Sequence, residues 1–114
     1  MKAIPKHLLI HQVTYHKQIN GDGFYDENSL DAGIVLTKVR MEPSTKVVRD
    51  KNNSEIQLAA TLFYDCKNSR PKKITFEVDD VVIFNDMKHQ VKVVEPLYDD
   101  KRLHHYELGL IKIA

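Results

Sequence analysis

The sequence predicts an all-β fold, a small single-domain β-barrel of about six or seven mostly antiparallel strands with one or two long loops. Three observations carry this prediction. Short runs rich in β-branched and aromatic residues recur along the 114 residues, with turn-forming segments between them. No run shows the apolar stripe of an amphipathic helix. No strand candidate is followed by a helix that could make a parallel crossover.

The elements follow in order. HLLIHQVTYHK (7–17) is expected as a strand, with Leu8, Ile10, Gln12 and Thr14 on one face and Leu9, Val13 and Tyr15 on the other beside His7 and His11. QINGDGFYDENSL (18–30) is a loop, because Asn20-Gly21 and Asp22-Gly23 tolerate positive φ. AGIVLTKVRM (32–41) returns as a strand, and Pro43 ends it for want of an N–H. PSTKVVRDKNNSE (43–55) is polar, with a short strand from Lys46 to Arg49 and a turn at Lys51-Asn52-Asn53. It is either a projecting hairpin or a mobile loop. The alanines of IQLAATLFYD (56–65) would permit a helix, but it ends in Leu62-Phe63-Tyr64 and its neighbours are β, so it reads as a strand. CKNSRPKK (66–73) is a polar connector. ITFEVDDVVIFNDMKHQVKVVEP (74–96) is a hairpin around Asn85-Asp86-Met87-Lys88, closed by Pro96. RLHHYELGLIKI (102–113) is the last strand.

Bulk composition narrows the function classes. Hydrophobic residues at 42% and charged residues at 29% exclude a disordered chain and leave enough apolar side chains for one core. Lys and Arg total 17 against 16 Asp and Glu, so the basic excess typical of a nucleic-acid binder is missing. Cys66 is the sole cysteine, which rules out an internal disulfide and points to a reducing compartment. The longest apolar run near the N-terminus, Leu8-Leu9-Ile10, is too short for a membrane span, so the expectation is a chain made in the cytoplasm with no membrane role.

Candidate chemistry is sparse. His104 and His105 are adjacent, and in a regular strand their side chains point to opposite faces. That argues against a shared metal ion, and a zinc site needs three or four ligands. NGDGFYDENSLD (20–31) fails the EF-hand pattern, because Phe24 and Tyr25 stand where an Asx and a glycine are needed. Cys66 lies in no nucleophile signature. Asp79-Asp80 and Asp99-Asp100 sit at strand edges, where Asp is a turn former. No glycine pattern matches a phosphate-binding loop. The expectation is therefore no catalytic residues, no cofactor and no metal.

LFYDCKNSRP, FEVDDVVIFNDMKHQVKVVEPLYD and LHHYELGL, in that order, resemble the small minor capsid or head–tail connector proteins of tailed bacteriophages and prophages. The resemblance rests on Val78-Asp79-Asp80-Val81-Val82-Ile83-Phe84, on Val91-Lys92-Val93-Val94 and on His105-Tyr106-Glu107-Leu108. It covers mainly the C-terminal half. Asp79-Asp80 stands where many relatives have Gly-Asp. The resemblance implies a stopper-like, head-completion barrel that forms a homo-oligomeric ring on the portal vertex and extends or closes the DNA channel. Its implied partners are portal or adaptor proteins and tail proteins, with packaged DNA passing through the channel without sequence-specific binding. Its implied location is the virion head–tail junction.

Under that reading, Lys46, Arg49, Asp50, Lys51, Asn52 and Asn53 form the candidate partner or channel loop, with 18–30 as the second choice. His105 and Glu107 form a candidate inter-strand or inter-subunit polar pair. Two alternatives stand beside it. One is a small metal-dependent hydrolase using His104 or His105. The other is an OB-like nucleic-acid module with Phe76, Phe84 and Tyr98 as stacking aromatics.

Overall fold

A computed structural model describes residues 3–19 and 30–113. After a 3-10 turn at Lys6–Leu8 come strands β1 (His11–His16), β2 (Ile34–Pro43), β3 (Val47–Arg49), β4 (Glu55–Gln57), β5 (Ala60–Asp65), β6 (Val81–Phe84), β7 (Met87–Tyr98) and β8 (Leu103–Lys112). Six of them close into an antiparallel barrel in the order β1-β2-β5-β8-β7-β6, sealed by pairing of β1 with β6. β3 and β4 form a separate two-stranded hairpin. The fold class is the all-β barrel expected from the sequence.

Alternation builds the core. Val13 and Tyr15 of β1, Leu62 and Tyr64 of β5, and Leu108 and Leu110 of β8 point inward at period two. Phe76 fills the centre, edge-on to Tyr15 and Tyr64 at 5.2 Å and to Tyr106 at 4.9 Å between ring centroids. Such contacts contribute roughly 0.5–1.5 kcal/mol each beyond burial.

Three β-bulges break the alternation where the sequence requires it. Gln12 pairs with Thr37 and His11 with Val39, which leaves Lys38 as an extra residue with φ 56°. That extra residue lets Leu36, Val39 and Met41 all point inward. Val91 pairs with Leu110 and Val93 with Gly109, so Lys92 is the second extra residue. Leu97 pairs with His105 and Tyr98 with Leu103, so His104 is the third.

The structure corrects several sequence expectations. Residues 7–10 are not strand: the chain turns at Lys6–Leu8 and drops Leu9 into the interior. The run 56–65 is two strands, bent at Leu58-Ala59 so that Leu58 is buried and its side chain lies over Gly109. Residues 74–80 are irregular, and β6 starts only at Val81. Asn85 and Asp86, at φ 51° and 63°, make a two-residue turn whose twist matches the flanking strands. Pro96 lies inside β7 instead of closing it. β6 covers β7 only at Met87–Gln90, so β7 has β8 on one side at Pro96, a position that tolerates a missing N–H.

The hairpin is anchored at its base. Pro43 and Ala60 are direct partners across β2 and β5, the Ser44 amide donates to the Ala59 carbonyl at 3.0 Å, and the Leu58 amide donates to the Lys46 carbonyl at 2.8 Å.

Candidate functional site

The polar segment 43–55 is an ordered hairpin. Its tip is held by Asp50, whose Oδ1 accepts from the amides of Asn52 and Ser54 at 2.9 Å each. Asn53 takes the left-handed conformation at φ 63° and its amide donates to the Asp50 carbonyl. The Arg49 guanidinium donates to the Asn53 carbonyl at 2.9 Å. Lys46 lies 3.9 Å from Glu95 of β7. Lys51 reaches back to the barrel, where its ammonium pairs with the Asp79 carboxylate. Arg49, Asn52 and Asn53 remain exposed.

Asp79 and Asp80, expected as turn formers, are buried anchors, each 2% exposed. Asp79 has φ 77°, and its carboxylate also meets Lys92 at 3.3 Å, so the second bulge residue delivers a cation to it. Asp80 accepts from the Tyr15 hydroxyl, from the Gln18 amide at 2.8 Å and from the Glu77 amide at 3.2 Å, with Lys17 at 3.5 Å. Burial and the Asp80 carboxylate push the Tyr15 hydroxyl far above the ordinary phenol range.

Asp65 is a third anchor that sequence reasoning missed. It is fully buried and accepts from the Ile4 amide at 3.0 Å and the Asn68 amide at 2.9 Å. Ser69 Oγ accepts from the Asp65 amide and donates to the carbonyl of the bulged Lys38. The Asp-x-x-Asn-Ser spacing, in which an Asp side chain caps the amide three residues on, is the signal that could have found it.

The expectation that His104 and His105 diverge fails, because the bulge at His104 suspends the period-two rule there. The two rings sit edge to face with Nδ1 atoms 2.7 Å apart. His105 Nε2 is 2.9 Å from Glu107 Oε2, within the same strand, and the His105 ring stacks at 6.5 Å from Phe63. A single proton between the two Nδ1 atoms makes one ring donor and the other acceptor. Among the described residues no group of three or more His, Cys, Asp or Glu could hold a metal ion.

His104 also reaches a groove of about 760 Å³ at one end of the barrel. Its walls are residues 3–6, the connector 65–68 with Lys72, and residues 99 and 102–104 around the β7–β8 turn. Burial, reinforced by Asp65, pushes the Cys66 thiol up, which disfavours the nucleophilic thiolate. Of the stacking candidates, Phe76 is sealed in the core, Phe84 is half-buried and Tyr98 is exposed. They form no common platform. The second-choice loop 18–30 lies outside the described residues except for its base, where Gln18 and Leu30 form an isolated bridge.

A family model described as minor capsid protein matches residues 5–110, a span that takes in strands β1 to β7, β8 as far as Leu110, the hairpin and most of the groove. The chain belongs to the minor capsid protein family. No curated protein and no solved structure matches it. Membership makes this a virion-associated structural protein of phage type. The hydrolase and OB-like alternatives find no support in the minor capsid family or in the geometry of the minor capsid barrel.

Proposed function

We propose that the protein is a subunit of the phage head–tail connector. It forms a homo-oligomeric ring at the portal vertex that completes the head and extends or closes the DNA channel. It acts through contacts with portal or adaptor proteins and tail proteins, while packaged DNA passes without sequence-specific binding. The observation that carries this reading is the anchored hairpin on a minor capsid barrel. Its base is hydrogen-bonded into the β2–β5 seam and its tip is held by Lys51–Asp79, while Arg49, Asn52 and Asn53 face outward. A polar tip on a rigid support suits a partner or channel contact better than it suits core packing. Ring closure needs heterologous interfaces, in which one surface of a subunit meets a different surface of the next. The partly exposed His105–Glu107 pair is a candidate for such an interface.

Native mass spectrometry of the chain with and without a portal complex tests this. The expected result is a defined ring on the portal, lost in an Arg49→Glu variant whose thermal unfolding is unchanged. No association with any portal assembly overturns the proposal.

A further inference from the structure

The groove at the end of the barrel carries four cationic side chains from three separate segments. Lys6 comes from the N-terminal segment, Lys67 and Lys72 from the connector, and Arg102 from the β7–β8 turn. All four residues are exposed. Lys6, Lys67 and Arg102 form no side-chain ion pair among the described residues, and Lys72 donates to the Cys66 carbonyl at 3.2 Å. Two carboxylates share the walls. Asp65 is fully buried and accepts from two backbone amides. Asp99 is capped by the amides of Lys101 at 2.8 Å and Arg102 at 2.9 Å, which hold it below the usual carboxylate range. The excess of the groove is therefore positive in a chain whose net charge is only +1.

We propose that this groove binds the phosphodiester backbone of nucleic acid. Its cations are long and solvent-facing, so they neutralise a repeated charge instead of gripping one carboxylate in a fixed fork. Among the described residues no Phe, Tyr or Trp lines it, so these walls offer no surface for stacking bases. The contact is thus to the backbone, without sequence preference, and favours duplex over single strand. The inference stands on the groove and not on ring formation. It is tested on the isolated chain, so its failure and the failure of ring assembly are separate results.

The measurement is fluorescence anisotropy of a short labelled DNA duplex, and of one of its strands, titrated with the full chain at rising salt. The logarithm of affinity is expected to fall linearly with that of salt concentration. The Lys6→Ala/Lys67→Ala/Arg102→Ala variant is expected to lose about 0.9 of slope for each phosphate contact removed. Lys112→Ala, on an exposed residue at the end of β8 and outside this groove, is expected to leave the slope unchanged. Amide NMR shifts in the unmodified chain are expected to move at Lys67, Lys72 and Arg102 on adding duplex, a readout that does not depend on the variant folding. Shifts located elsewhere, an equal effect of Lys112→Ala, tighter binding of the single strand, or binding of poly-glutamate in place of DNA would each overturn the proposal.

Discussion

The Asp80 carboxylate has left water and accepts from the Tyr15 hydroxyl and from two backbone amides. Asp80→Ala removes the acceptor of the buried Tyr15 hydroxyl and a partner of the part-buried Gln18 and Glu77 amides, and is expected to destabilise by about 3 kcal/mol, read by urea unfolding. Tyr15→Phe removes one donor and is expected to cost about 1–2 kcal/mol in the same measurement. His89 gives the pH dependence. It is 4% exposed and its Nδ1 has no hydrogen-bond partner among the described residues. Burial lowers its pKa from 6.5, opposed by bonds to the Val82 and Met87 backbone. The folded pKa lies below the unfolded one, so this contribution is present above pH 6.5 and is lost as pH falls below it. Thermal scans of His89→Gln are expected to show a flatter fall than the parent below that pH. His11, lowered by burial and Arg40, acts in the same direction and remains in both chains. At this scale the sequence was least legible. An Asp-Asp pair has the same letters whether it caps a turn or anchors a core, and only burial separates the two.

At the scale of elements, strand existence was legible and strand phase was not. Period two places Leu36 inside and then Lys38 and Arg40, whereas the bulge at Lys38 puts Val39 and Met41 inside. The same device at His104 brings two adjacent imidazoles together, which regular strand geometry forbids. The alanines of IQLAATLFYD hid a break that becomes intelligible only when Leu58 is seen over Gly109. A Cβ at residue 109 would sit 2.9 Å from Leu58 Cδ1 and 3.3 Å from Val93 Cβ. Gly109→Val is therefore expected to push Leu58 out, cost about 1–3 kcal/mol and speed hydrogen exchange at the Leu58 and Ala59 amides, while the β1–β2 amides stay protected.

For the whole molecule, six or seven strand candidates at short spacing made the barrel legible, but strand order was not written locally. The seam of β1 with β6 joins Thr14 to Ile83, and β2 skips the hairpin to pair with β5. Such distant pairings must close large loops before they are rewarded, so refolding by stopped-flow fluorescence is expected on the millisecond-to-second scale, not in microseconds. One of these pairings reaches beyond folding. Pro43 and Ala60 face each other across the ladder, so the chain leaves the barrel and re-enters it at the same rung. The tip between them is a cassette on a fixed base. With Leu58 kept over Gly109 and Lys51 on Asp79, the exposed tip can be lengthened, recharged or exchanged without shifting the register of any barrel strand. A lineage bearing this barrel can therefore refit itself to a new neighbour by rewriting the exposed residues of the hairpin and leaving the barrel untouched.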